Sequence, residues 1–127
     1  MSDEPQIVVV EDDEEIREVL LEVLEEHGYR AVGAVHGRDA LDKLRMLSLP
    51  PSLILLDLMM PVMDGKAFRQ EQLQTAGISA IPVVVISAFR DVDNILGELR
   101  PAGFLKKPLE LELLLETVQS YVDKQVA

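Results

Sequence analysis

The sequence predicts one α/β domain, a three-layer sandwich in which a five-stranded parallel sheet lies between helices. Three observations carry that expectation. Ile7-Val8-Val9-Val10, Leu53-Ile54-Leu55-Leu56 and Val83-Val84-Val85-Ile86 are continuously apolar, the pattern of strands covered on both faces. The segments between the apolar runs repeat apolar residues at helical spacing, giving five alternating β-α units with right-handed crossovers. The length, 127 residues, is that of a single domain able to bury a core without staples.

Taken in order, Met1 to Gln6 reads as a short polar tail, with the domain running from residue 7 to 124. Ile7 to Val10 is the first strand. Ile16, Val19, Leu20, Val23 and Leu24 form a helical stripe, and Gly28 supplies its stop. Arg30 to Val35 is a less apolar strand, fit for an edge. Ala40, Leu41, Leu44 and Leu47 form the second helical stripe, closed by Pro50-Pro51. Leu53 to Leu56 is the third strand. A third helix runs from about Lys66 to Thr75, with Gly77 after it. Val83 to Ile86 is the fourth strand, and a helix within Asp91 to Arg100 ends at Pro101. Gly103 to Leu105 is the other edge strand. The last helix covers Glu110 to Asp123, with Leu113, Leu114, Thr117, Val118, Tyr121 and Val122 expected inward.

Composition removes several function classes. No cysteine is present, which excludes a disulfide scaffold and a thiolate metal site. The apolar runs fall far short of the ~18 residues of a membrane span, and no basic, apolar leader opens the chain; a cytoplasmic location is the expectation. Twelve Lys and Arg stand against 23 Asp and Glu, a net charge of −11. Lys106-Lys107 is the one basic pair, so direct binding of nucleic acid or of an anionic membrane is not expected.

The chemistry is sought beyond the carboxyl ends of the strands, where an open parallel sheet carries its site. Glu11-Asp12-Asp13 follows the first run, Asp57 the third, Ser87-Ala88 the fourth and Lys106-Lys107-Pro108 the fifth. Carboxylates converging from different strands need a cation to stay ionised together, and oxygen donors of this kind suit Mg²⁺. A lysine and a hydroxyl beside them are what a phosphoryl group needs. Each residue also has a plain structural reading. Asp12 or Asp13 could cap the first helix, Asp57 could sit in a turn, Ser87 could cap the fourth helix, and Lys107 could be a solvated charge. Their joint occurrence, in strand order and at the same sheet edge, favours phosphoryl chemistry on a carboxylate.

Over nearly its whole length the chain resembles the receiver domain of two-component response regulators, similar to the single-domain chemotaxis-type regulators. The resemblance is carried by Val8-Val9-Val10-Glu11-Asp12-Asp13, by Leu55 to Gly65 with its D-x-x-M-P-x-x-D-G pattern, by Val85-Ile86-Ser87-Ala88, and by Phe104-Leu105-Lys106-Lys107-Pro108. It implies a flavodoxin-like doubly wound (βα)5 fold with strand order 2-1-3-4-5. It implies that Asp57 takes a phosphoryl group from a phosphohistidine on a sensor kinase or phosphotransfer protein. Asp12, Asp57 and the Met59 carbonyl would hold Mg²⁺, with Glu11 acting through a metal-bound water. Ser87 would bond the phosphoryl oxygen, Lys107 would pair with it, and Lys106 would be a bystander. The Lys107-Pro108 bond is implied to be cis. Phosphorylation would draw Ser87 inward, let the aromatic at position 104 turn, and switch the face made by the fourth helix, fifth strand and fifth helix toward an output protein or domain. A phosphorylation-dependent homodimer belongs to the same implied set.

The chain departs from the family pattern at a few positions. Phe104 stands where many members carry Tyr, so no hydroxyl is available there. The stretch from Ser87 to Lys107 is short, and Arg100-Pro101 replaces a small-residue turn. Met59 and Phe89 flank the expected site and would screen an aspartyl phosphate from water, giving a long-lived phosphorylated form. The competing readings are an N-terminal fragment of a larger regulator rather than a stand-alone domain, a constitutive binding module, and an Mg²⁺-dependent phosphohydrolase with an aspartyl nucleophile. The last needs a second Asp two residues after the nucleophile, and that position is Met59. His27 is read as a helix C-terminal cation and His36 as a loop residue beside Gly37; two separated histidines make a poor zinc site. No phosphate-cradling glycine motif supports nucleotide binding.

Overall fold

The computed structural model describes residues 4–88 and 92–122, with the backbone alone for 92–95. Ten elements alternate along the chain: β1 (Ile7–Val10), α1 (Glu14–Glu26), β2 (Ala31–Ala34), α2 (Gly37–Met46), β3 (Leu53–Asp57), α3 (Gly65–Leu73), β4 (Val83–Ser87), α4 (Val92–Leu99), β5 (Gly103–Lys106) and α5 (Leu111–Tyr121). The strands form one parallel sheet in the order β2-β1-β3-β4-β5. The two less apolar strands therefore take the edges, as their composition predicts.

Every residue of β1, β3 and β4 is buried, because successive side chains enter opposite cores. Val8, Val10, Ile54, Leu56, Val83 and Val85 point to one face, where Leu41 of α2, Phe68 of α3 and Leu99 of α4 cover them. Ile7, Val9, Leu53, Leu55, Val84 and Ile86 point to the other, against Leu20 and Leu24 of α1 and Leu114 and Val118 of α5. An unbroken apolar run is thus the cost-free sequence for a strand between two cores.

Several local expectations need correction. β3, β4 and β5 each run one residue further, into Asp57, Ser87 and Lys106, because the ladder continues through the pairs Asp57 with Ile86 and Ser87 with Lys106. The second helix ends at Met46, ahead of Pro50-Pro51: Leu47 is already extended, and the Glu4 carboxylate accepts from the Ser48 N–H at 3.0 Å. Glu4 and Gln6 are part of the packed structure, since Ser52 N donates to the Gln6 carbonyl at 2.7 Å and Arg30 Nε to the Glu4 carbonyl at 2.8 Å. In α5 only Leu114 and Val118 are buried, continued by Val122 just past its end. Leu113 and Tyr121 are exposed, Thr117 is half-buried, and the Tyr121 hydroxyl donates to the Ala102 carbonyl at 3.1 Å. Val19 of α1 is likewise exposed, leaving Leu20 and Leu24 as the buried pair of that helix.

Candidate phosphoryl site at the sheet edge

The carboxyl ends of β1, β3 and β4 and the loop after β5 meet at one edge of the sheet. The turn after β1 stays in register with β2, because Glu11 N donates to the Ala34 carbonyl at 3.0 Å. That buries Glu11 and leaves Asp12 exposed. Asp13 caps α1: its Oδ1 accepts from Ile16 N at 3.1 Å, the structural role weighed for it above. Arg17, one turn into α1, braces the loop by donating from Nη1 to the Glu11 carbonyl at 2.9 Å.

Asp57 is the last residue of β3 and is 5 % exposed. Its Oδ1 accepts from the Met59 N–H at 3.3 Å, so the loop folds over the carboxylate with the Met59 side chain turned outward, 64 % exposed. Met60 is buried and Met63 half-buried. The loop is tied off where Gly65 N donates to the Leu58 carbonyl at 3.0 Å. A Cβ at Gly65 would lie 2.5 Å from the Asp57 carbonyl oxygen, so the start of α3 rests directly on the Asp57 backbone. Asp64 caps that helix, its Oδ1 accepting from Ala67 N at 2.9 Å.

Ser87 ends β4 and is buried, and its carbonyl accepts from Lys107 N at 3.0 Å. That backbone bond sets the lysine beside the acids; the Lys107–Pro108 peptide is cis. Lys107 Nζ lies 2.8 Å from Glu11 Oε1 and 3.5 Å from Asp57 Oδ2. Lys106 is exposed and takes no part. Phe104, half-buried, packs against the core on the α2-α3-α4 face. Phe89 lies outside the described residues.

The electrostatics follow from this crowding. Burial raises the Glu11 pKa above the ordinary carboxylate value; hydrogen bonding with Asp57 and its charge raise it further, and Lys107 opposes them. Burial pulls the Lys107 pKa down, but the hydrogen bond to Glu11 and the charges of Asp57 and Glu11 outweigh it and hold the ammonium above the usual lysine value. Glu11, Asp12 and Asp57 each offer a carboxylate oxygen, and these oxygens lie within 4.8 Å of one another. Three hard oxygen donors at that spacing, with one lysine against three acids, fit a small divalent cation such as Mg²⁺.

The sequence left two supporting residues unread. Arg17 is hidden among the acids of α1. His36 is the N-cap of α2 rather than a plain loop residue, its Nδ1 accepting from Asp39 N at 3.1 Å. His27 is the C-cap of α1, its Nδ1 lying 2.9 Å from the Val23 carbonyl.

A family model described as the response regulator receiver domain matches residues 7–119. A probable transcriptional regulator, ycf27, of Porphyridium aerugineum is 36 % identical over 123 residues, covering 93 % of this chain and 49 % of that protein; the chain spans about half its length. Protein PilH of Pseudomonas aeruginosa is 29 % identical over 116 residues, covering 90 % of this chain and 94 % of that one. The response regulator protein TrrA of Thermotoga maritima, solved in complex with Mg²⁺-BeF, superimposes with a TM-score of 0.80 at 27 % identity, covering 94 % of this chain and all of the other. The sheet order, the acids at its edge and these likenesses agree, and the chain belongs to the response regulator receiver domain family.

Proposed function

We propose that Asp57 is the phosphoacceptor of a two-component signalling switch. The observation that carries the reading is the meeting at one sheet edge of a buried Asp57 carboxylate, two further acids and the Lys107 ammonium. An Asp57 carboxylate oxygen attacks the phosphorus of a phosphohistidine. The P–N bond breaks, its electron pair goes to the imidazole, and a mixed anhydride forms on Asp57; hydrolysis later returns the carboxylate and inorganic phosphate. Lys107 pairs with the phosphoryl oxygens and offsets the charge that builds on them. The Ser87 hydroxyl donates to one of those oxygens, and its shift gives the Phe104 ring room to turn further into the core. Asp12, Asp57 and the Met59 carbonyl, with Glu11 through a water, are the groups that would hold Mg²⁺, which supplies positive charge to the transferring oxygens when bound.

In this reading the receiver unit is residues 7–124, acting in the cytoplasm. The donor is a sensor histidine kinase or phosphotransfer protein, and the recipient an output protein or an attached domain reading the α4-β5-α5 face. No contact with nucleic acid or membrane is invoked; a homodimer on phosphorylation is the remaining assembly to test. Intact mass after incubation with Mg²⁺ and acetyl phosphate decides the central point. One phosphoryl group gained by the wild type and none by Asp57→Asn supports it; equal gain in both names a different acceptor.

A further inference from the structure

Arg69 is 7 % exposed in the core face of α3, an unusual place for a guanidinium. Among the described residues no carboxylate forms an ion pair with it. Its partners are oxygens of another kind. Nε donates to the Leu99 carbonyl at 2.9 Å, Nη2 to the Arg100 carbonyl at 3.0 Å, and Nη1 to Gln72 Oε1 at 2.8 Å. Gln72, fully buried, passes the network on, its Nε2 donating to the carbonyls of Ile78 at 2.9 Å and Ile81 at 3.1 Å.

The position of those carbonyls explains how a buried cation is tolerated. Leu99 is the last residue of α4 and Arg100 follows it with φ +48, a left-handed helix end that L residues adopt reluctantly. The last carbonyls of a helix lack intrahelical donors and carry its negative end. Arg69 supplies both the donors and the opposite charge from a neighbouring helix. An exposed Lys66–Glu98 pair at 3.0 Å joins the same two helices but is worth little in water. One turn before Arg69, α3 begins on the Asp57 backbone, with Gly65 against the Asp57 carbonyl and Phe68 fully buried.

We infer that Arg69 is a positioning residue that fastens the C-terminal end of α4 to α3, so that α4 moves about this anchored end when Asp57 is phosphorylated. The inference rests on the phosphoacceptor reading for its second half only. The route it describes runs from the Asp57 backbone through the first turn of α3 to the end of α4, whereas the Ser87–Phe104 route runs along β4 and β5 into the same core.

The test is amide hydrogen exchange on the full chain, with and without beryllofluoride and Mg²⁺, for wild type, Arg69→Met and Arg69→Lys. Met keeps the apolar stem and removes the donors; Lys keeps the charge and part of the bonding. In the unliganded protein, exchange over residues 96–100 should rise by about tenfold or more in Arg69→Met and less in Arg69→Lys, with β1 and β3 unchanged. Exchange as slow as wild type in Arg69→Met overturns the anchor. With the anchor lost, the beryllofluoride-dependent change in α4 exchange should shrink; a full-sized change in Arg69→Met overturns the coupling. A wild type that takes up neither beryllofluoride nor phosphoryl overturns the phosphoacceptor reading and the coupling with it, while the unliganded exchange still decides the anchor.

Discussion

Lys107 binds Glu11 more closely than it binds Asp57: Nζ is 2.8 Å from Glu11 Oε1 and 3.5 Å from Asp57 Oδ2. The lysine is therefore held at the site chiefly by Glu11, with Asp57 at the edge of ion-pair range. Because its folded pKa is raised, its ionic contribution is fully present below the unfolded value and lost only as pH climbs through the folded one, above about 10.4. At pH 7 Lys107→Met should cost about 1–3 kcal/mol, since Glu11 and Asp57 are left without a cation. The loss should shrink near pH 4, where Glu11 holds its own proton. Urea unfolding at the two pH values is the check. Equal losses would mean that the lysine acts through its packed stem alone.

Glu11 gives the opposite pH sign from an ordinary paired carboxylate. Its folded pKa is raised, so the native state keeps its proton more tightly than the unfolded chain does. Stability is full below the unfolded value, 4.5, and falls as pH rises from there through the folded one. Asp57→Asn removes the neighbouring charge and should raise the melting temperature at pH 7 in metal-free buffer, with the gain fading toward pH 4. Added Mg²⁺ should narrow the gap by stabilising the wild type more, by about 2.7 kcal/mol at a hundredfold excess over its Kd. A variant no more stable than wild type at pH 7 would remove acid crowding as a feature of this site.

The contrast between Asp57 and Arg69 explains what was legible in the sequence. Asp57 is announced by the apolar run before it, and strand ends in a parallel sheet converge whatever their loops do. The sheet order, the core faces and the Glu11-Asp12-Asp57-Lys107 grouping all follow from that rule and from the family pattern. Arg69 is announced by nothing, because its helical spacing looks like that of any surface charge until α4 is placed beside it. His36 failed for a related reason: a histidine acting as an N-cap has no distinctive neighbour in sequence. Periodicity points Leu113 and Tyr121 inward and puts Val19 in the first helical stripe, but it marks the stripe and not how much of it a shallow contact buries.

Gly65 is required by the proximity of backbone, not by its own torsion angles. A Cβ would meet the Asp57 carbonyl at 2.5 Å and the Leu58 Cα at 2.8 Å, neither of which can rotate away. Gly65→Ala should therefore cost about 1–3 kcal/mol by overpacking and should slow phosphoryl uptake, because relief comes by displacing the Asp57 backbone. Thermal unfolding and the initial rate of mass gain measure the two effects. Wild-type values for both would show that α3 can step back from the strand.

The Met59 side chain is 64 % exposed while its N–H donates to Asp57 Oδ1. The side chain can thus be exchanged without disturbing that bond. On the phosphoacceptor reading proposed for Asp57, an apolar thioether at this position should keep water from an aspartyl phosphate, whereas an amide should order a water beside it. Met59→Asn should accelerate decay of the phosphorylated form severalfold at unchanged stability. The decay of the intact-mass signal after removal of the donor gives the rate, and the same half-life in both proteins would discard the screening role.

Val62 carries a φ of +65 with its side chain 82 % exposed, three residues past Met59 in the same loop. For a β-branched residue that conformation is sterically costly, on the order of 1–3 kcal/mol, and an exposed side chain recovers little by packing. Glycine takes the same torsion freely but loses more chain entropy on folding, which returns about 0.5–1 kcal/mol of the difference. Val62→Gly should leave a net gain of about 1 kcal/mol, read as a higher denaturation midpoint at constant m-value. Since strain of this kind also fixes the loop that folds over Asp57, the same variant should loosen it, and Met59 amide exchange should rise even as global stability increases. A lower midpoint would mean that Val62 makes contacts worth more than its backbone strain.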